Sequence, residues 1–71
     1  DFESTQEKIV MLELRSIDEA LQKSFGQKAV AAAMLGMTAD QLRYKVLKQE
    51  KLHPNLFYGF KNIMKAYKLK H

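Results

Sequence analysis

The chain has 71 residues, 46% of them hydrophobic, a net charge of +4 and no cysteine. This composition excludes disulfides, thiol chemistry and a cysteine-based zinc site, and no apolar run approaches the ~20 residues of a membrane span or forms a signal-peptide pattern. Because no glycine- or proline-rich stretch interrupts it, we expect residues 1–71 to form one domain, small enough to gain stability by dimerising. Since the chain begins at Asp1 rather than methionine, we expect an excised domain or a processed product.

Charge is distributed unevenly along the chain. Residues 1–25 carry six acidic against three basic side chains, a net charge of −3, whereas residues 26–71 carry nine basic against two acidic side chains, a net charge of +7. A polyanion would therefore bind the second part of the chain. The simpler interpretation is a lysine-rich surface that interacts only with water.

The first predicted helix spans about residues 5–24. Ser4 and Glu7 have the spacing of a capping box at its start, and Gly26 follows its end. Apolar residues recur at helical spacing and form the predicted core face: Val10, Leu14, Ile17, Leu21 and Phe25.

Ile9 and Leu12 lie off this stripe, with Met11 nearby. They are either ordinary exposed apolar residues or part of a contact with a second copy of the helix. Of these two interpretations we favour the dimer interface.

The middle of the chain has the pattern of two helices joined by a tight turn. The first of them, about residues 28–35, is rich in alanine, which either only favours helix formation or lets crossing helices approach closely. Gly36 ends it, because the residue after a helix often has a positive φ, which glycine adopts without strain. Thr38 and Gln41 then have capping-box spacing and begin a helix of about residues 39–51. This is the helix-turn-helix arrangement, whose second helix enters the DNA major groove.

A break around Pro54 precedes the fourth predicted helix, about residues 56–67. Pro54 disfavours a helical His53, and Asn55 can cap the helix that follows. Apolar residues at helical spacing give this helix a face that can complete a small core: Leu56, Phe60, Ile63, Met64 and Tyr67. Its lysines can also extend a positive surface along a nucleic acid: Lys61, Lys65, Lys68 and Lys70. The whole pattern predicts an all-α, four-helix domain that contains a helix-turn-helix.

Polar side chains of the third helix have the chemistry of a DNA-contacting surface. Thr38 can donate to a phosphate, and Gln41 has the amide geometry that recognises an adenine edge. Arg43 or Lys45 can bind either guanine or a phosphate. The hydroxyl and ring of Tyr44 suit the DNA backbone and a thymine methyl, and two further lysines suit phosphates: Lys48 and Lys51.

The sequence shows no constellation of catalytic or metal-binding residues. His53 adjoins a proline and His71 is terminal, and neither has a partner at the spacing of a metal site or an acid–base pair. A glycine-rich phosphate loop is also missing. We therefore expect no enzymatic activity, no metal, no cofactor and no small-molecule substrate.

The middle of the chain resembles the Fis-type helix-turn-helix family, which includes a DNA-bending nucleoid protein and the C-terminal domains of bacterial enhancer-binding transcription activators. The resemblance covers roughly residues 12–51. Its most characteristic part is Ala32-Ala33-Met34-Leu35-Gly36, followed by Leu42-Arg43 and Lys45-Val46. It implies a bacterial protein that binds double-stranded DNA, regulates transcription and is cytoplasmic, associated with the nucleoid.

The resemblance also implies which residues contact partners. By position, the DNA-contacting residues of the family correspond to Thr38, Ala39, Gln41, Arg43, Tyr44 and Lys45. Family dimers form largely through helices that precede the helix-turn-helix, which implies a homodimer with Ile9 and Leu12 in its interface.

Two departures from the family pattern bear on the affinity for DNA and on the preference for a DNA sequence. Ala39 stands where the family often has a basic residue, and Asp40 places a carboxylate near the groove. Asp40 either points away from the DNA and favours the start of the helix, or accepts from a cytosine amino group. The alternative function is a helical protein-interaction module without DNA binding, in which Ile9, Leu12 and Tyr44 face protein partners.

Overall fold

The chain folds into helices joined by short turns. A computed structural model describes the backbone of residues 2–69 and the side chains of residues 5–69. Within this part, four α-helices and one 3₁₀ helix follow one another: α1 (Phe2–Lys23), α2 (Lys28–Met34), α3 (Ala39–Leu52), the 3₁₀ helix (Pro54–Gly59) and α4 (Lys61–Tyr67). The predicted all-α class is confirmed. None of these helices is both long and apolar enough to cross a membrane.

One hydrophobic core is shared by all five helices. Its largest fully buried side chains are Leu14, Leu21, Leu42, Val46, Phe57 and Ile63. Ala31 and Ala32 of α2 are also fully buried, and α2 packs against both α1 and α3. The small side chains thus permit the close approach of helices that the alanine run suggested. The predicted core face of α1 is confirmed from Val10 to Leu21.

Phe25 does not belong to this core. Its side chain is 94% exposed and its φ is +57°. It lies in a Schellman motif after α1, in which the Gly26 amide donates to Leu21 O (2.8 Å) and the Phe25 amide donates to Gln22 O (3.2 Å). Because this left-handed residue turns the chain, the helical spacing that placed Phe25 on the core face no longer applies. The prediction for Phe25 is wrong.

The start of α1 also differs from the prediction. The helix begins at Phe2, so the backbone at Ser4 is already helical. An N-cap residue needs non-helical, extended torsions. The predicted cap at Ser4 is therefore wrong.

The predicted fourth helix is divided in two. Phe60 has φ −116° and ψ 73°, which interrupts the helical backbone between the 3₁₀ helix and α4. On one continuous α-helix, Phe57 and Ile63 would point in directions about 120° apart. The interruption lets both side chains reach the core, where they are fully buried. Asn55 lies inside the 3₁₀ helix, with His53 at the N-cap position, so the predicted Asn55 cap is wrong.

Asp18 of α1 holds the start of α4. Its Oδ1 accepts from the amides of Asn62 (3.0 Å) and Ile63 (3.2 Å), and its Oδ2 accepts from Asn62 Nδ2 (3.2 Å). The two amides lie in the first turn of α4, where backbone N–H groups have no acceptor within their own helix. Asp18 thus caps a helix that lies more than 40 residues further along the chain.

Candidate nucleic-acid interface

The turn between α2 and α3 has the predicted geometry. Gly36 has φ +74°, and α2 ends in a second Schellman motif. The Met37 amide donates to Ala32 O (3.0 Å), and the Gly36 amide donates to Ala33 O (3.1 Å). Because glycine has no Cβ, the backbone adopts this conformation without strain. The turn sets the direction of α3 relative to α2, as a helix-turn-helix requires.

Thr38 and Gln41 form the predicted capping box at the start of α3. Thr38 Oγ1 accepts from the Gln41 amide (3.1 Å), and Gln41 Oε1 accepts from the Thr38 amide (3.0 Å). Thr38 keeps its own hydroxyl hydrogen, which can be donated to a phosphate oxygen. This capping bond occupies the side-chain carbonyl of Gln41. The carbonyl is one of the two groups with which a glutamine side chain recognises adenine.

The exposed face of α3 is centred on Tyr44. Its side chain is 69% exposed, and Asp40 and Lys48 lie one turn before and one turn after it, both exposed. The opposite side of α3 is anchored by Leu42 and Val46, which are fully buried in the core. Asp40 therefore lies on the outward face, so its carboxylate would approach any DNA that contacts Tyr44.

Lys45 lies on the flank of this face that is next to α1. Its Nζ is 3.5 Å from Glu13 Oε2, and each side chain is 37% exposed. An ion pair at the surface contributes only about 0–1 kcal/mol. A phosphate could therefore replace Glu13 as the partner of Lys45.

Arg43 and Ala39 lie on the other flank of α3, and both are exposed. Arg43 is next to residues that sequence analysis did not connect with it. Lys28 at the start of α2, together with Tyr67 and Lys68 at the end of α4, lines an open depression with Arg43. These residues come from three helices far apart in the sequence, so no spacing pattern could have grouped them.

Tyr67 is the half-buried member of this group. Lys28 Nζ lies 5.2 Å from the centroid of its ring, within the range of a cation–π interaction. Burial raises the pKa of Tyr67 above 10.0, although the positive charge of Arg43 acts to lower it. At neutral pH the hydroxyl is therefore protonated and can donate a hydrogen bond.

The residues predicted for a dimer interface are exposed on α1. Ile9 is 52% exposed and Leu12 is 63% exposed. Leu12 borders an open groove together with Phe60, whereas Ile9 lies beside Leu52 at the end of α3. Leu12 and Ile9 therefore border two different depressions, and both side chains are accessible to a partner.

The α2–turn–α3 unit, with a capped second helix that exposes a polar face, defines a helix-turn-helix domain of the DNA-binding class. Residues 8–48, more than half of the chain, match the family model described as bacterial regulatory protein, Fis family. The chain belongs to this Fis family of bacterial regulatory proteins, a DNA-binding regulatory family rather than an enzyme family. The resemblance inferred from sequence is confirmed. Comparison with curated proteins and with solved structures gives no match.

Proposed function

We propose that this domain binds double-stranded DNA with a preference for sequence, by placing α3 in the major groove, and thereby regulates transcription on the nucleoid in the bacterial cytoplasm. The observation that carries the proposal is the exposed face of α3 around Tyr44. Core residues hold one side of that helix, and Thr38 caps its start. A rigid helix with one free polar face is what groove binding requires.

Seven residues form the proposed contact surface: Thr38, Ala39, Gln41, Arg43, Tyr44, Lys45 and Lys48. Thr38 donates its free hydroxyl hydrogen to a phosphate, and Lys48 neutralises another. Tyr44 reaches base edges, where its ring suits a thymine methyl. Asp40, on the same face, repels phosphates but accepts from the amino group of a cytosine, so it favours sequence preference over affinity.

We further propose that the active form is a homodimer whose α1 helices pair through Ile9 and Leu12. Pairing along a two-fold axis would present two α3 helices to successive major grooves. Half-sites would then lie about one helical turn apart, and a shorter spacing would require the DNA to bend.

The affinity for a duplex of random sequence, measured by fluorescence anisotropy at several salt concentrations, tests DNA binding. Counterion release predicts that the logarithm of affinity falls with the logarithm of salt concentration, with a slope of about −0.9 for each phosphate neutralised. Lys48→Ala should reduce the size of this slope by about one. Tyr44→Ala should weaken binding with little change in slope.

Lys23→Ala is the matched control, because it removes the same charge from an exposed position at the end of α1. It should bind like the parent. Competition between duplexes of equal length and different sequence then measures sequence preference. A parent protein without salt-dependent binding would contradict the proposal and favour a protein-interaction module.

A further inference from the structure

An open depression of about 300 Å³ lies beside α3, on the flank that carries Arg43. Its wall includes Lys28 of α2, Arg43 of α3, and Tyr67 and Lys68 at the end of α4. The three cationic side chains are exposed. No acidic side chain is among the described residues that line it. The depression thus concentrates positive charge next to the proposed groove-binding helix.

Tyr67 lines this depression and carries a neutral hydrogen-bond donor, its hydroxyl. Its oxygen is buried, and it has no hydrogen-bond partner among the described residues. A buried polar group without a partner destabilises a fold. An oxygen-rich anion that reaches this hydroxyl would remove that penalty, and the raised pKa of Tyr67 keeps the hydrogen available.

The combination matches the chemistry of a phosphate. An arginine can donate two parallel hydrogen bonds to phosphate oxygens, lysines neutralise its charge, and a phenol donates one more hydrogen bond. Position supports a phosphate of DNA rather than a free ion. Arg43 and Tyr44 are neighbours on α3, so a helix that places Tyr44 in the groove brings Arg43 toward one bordering strand.

We propose that Lys28, Arg43, Tyr67 and Lys68 form a binding site for one phosphate of the DNA backbone. This proposal rests on DNA binding by α3, and it assigns a DNA-contacting role to α4, which lies outside the segment that matches the family. Because the Tyr67 hydroxyl donates a hydrogen bond, the site selects a hydrogen-bond acceptor and not only a negative charge.

Anisotropy titrations of the full 71-residue chain with a labelled duplex test the site. The double variant Lys28→Gln/Lys68→Gln should reduce the size of the salt slope by about one, since one phosphate is no longer neutralised. Tyr67→Phe should weaken DNA binding roughly 2- to 12-fold without changing the slope, because it removes one hydrogen bond and no charge. Its melting temperature should not fall, because the variant removes a buried hydroxyl that has no partner.

Lys23→Gln, which removes one positive charge from an exposed position at the end of α1, is the control and should bind like the parent. If the parent binds DNA and Lys48→Ala lowers the slope, but the site variants behave like Lys23→Gln, this inference is overturned while DNA binding stands. If the parent binds no duplex, the proposed function fails and the inference fails with it.

A titration with inorganic phosphate, followed by amide shifts of Lys28, Tyr67 and Lys68, distinguishes a free anion from the DNA backbone. Weak binding at these residues that duplex DNA displaces would support the proposed site. Saturable phosphate binding that persists in the DNA complex would show a site for a free anion and overturn the assignment to the backbone.

Discussion

Left-handed backbone torsions occur at the ends of three helices in this domain. Gly26 and Gly36 adopt them without a Cβ, whereas Phe25 and Lys68 adopt them with φ +57° and +53°. For a residue with a Cβ this conformation costs about 1–2 kcal/mol. At Lys68 the turn directs the chain so that Leu69 packs against the core and its amide donates to Met64 O (2.9 Å). The strain is thus offset by contacts that the turn creates.

Gly36→Ala tests the turn on which the helix-turn-helix depends. An added Cβ would meet no atom within 4 Å, so the cost comes from the positive φ alone. We expect the free energy of unfolding to fall by about 1–2 kcal/mol, measured by urea denaturation. Gly59→Ala is the matched control, because Gly59 has equal space around it and is not among the glycines with positive φ. Equal stability of the two variants would contradict the role of Gly36.

The raised pKa of Tyr67 predicts that the free energy of unfolding depends on pH. Its folded-state pKa is raised above 10.0, chiefly by burial and in spite of Arg43. Between the unfolded and folded pKa values the unfolded tyrosine ionises first, which favours unfolding. The stabilisation is therefore present below about pH 10 and is lost as the pH rises through the folded pKa.

We expect Tyr67→Phe to lose less stability than the parent between pH 9 and pH 11, values that bracket the reference tyrosine pKa of about 10. Urea denaturation at a series of pH values measures the difference. Tyr44→Phe, the same substitution on the exposed face of α3, is the control. Parallel curves for the parent and Tyr67→Phe would show that Tyr67 does not control the alkaline loss of stability.

At the scale of elements, α4 depends on α1 for its position. With seven residues it is too short to be stable alone, and two of its first-turn amides donate to the Asp18 carboxylate. Ile63 adds a fully buried side chain to the shared core. Tyr67 and Lys68 reach the depression beside α3 because these contacts hold α4 in place.

Asp18→Ala should loosen α4. The variant leaves the amides of Asn62 and Ile63 without their acceptor, and hydrogen bonds to a charged group contribute about 1.5–3 kcal/mol. From the parent to the variant, hydrogen exchange should accelerate more at these two amides than at the Leu42 amide in α3. Glu19→Ala, which removes only an exposed ion pair with Arg15 (3.8 Å), should change stability by about 0–1 kcal/mol. Equal exchange rates in the parent and Asp18→Ala would exclude the cap.

At the scale of the whole molecule, charge separates along the chain in a way that suits a dimer on DNA. The acidic side chains are concentrated in residues 1–25, most of which form α1, and the basic ones follow it. Pairing of two α1 helices would bring the acidic segments together at the centre of the dimer. The basic surfaces would then face outward, toward the two half-sites.

Leu12→Glu should convert the proposed dimer to a monomer. Two carboxylates would face each other across the two-fold axis in a desolvated contact. Sedimentation at matched concentrations measures the change, and a duplex with two half-sites should bind the variant more weakly. Gln22→Glu, which adds the same charge ten residues further along α1, should sediment like the parent. A parent that is monomeric at high concentration would show that Ile9 and Leu12 are simply exposed.

Features that depend on neighbouring residues follow from the amino-acid sequence alone. Gly36 at positive φ and the Thr38–Gln41 capping box are confirmed, because a turn and a cap involve groups only a few residues apart. The core face of α1 from Val10 to Leu21 is confirmed for a similar reason, since helical periodicity alone places those side chains on one side.

Features that depend on distant contacts follow only from the packing of the helices against one another. Burial of both Phe57 and Ile63 in the shared core divides the predicted fourth helix at Phe60, against its helical spacing. Asp18 caps α4 across more than 40 residues, and the depression around Tyr67 combines side chains from α2, α3 and α4. Local propensity contributes tenths of a kcal/mol per residue, whereas burial of a large apolar side chain contributes about 1.5–3 kcal/mol. Packing therefore prevails over the local pattern wherever the two conflict.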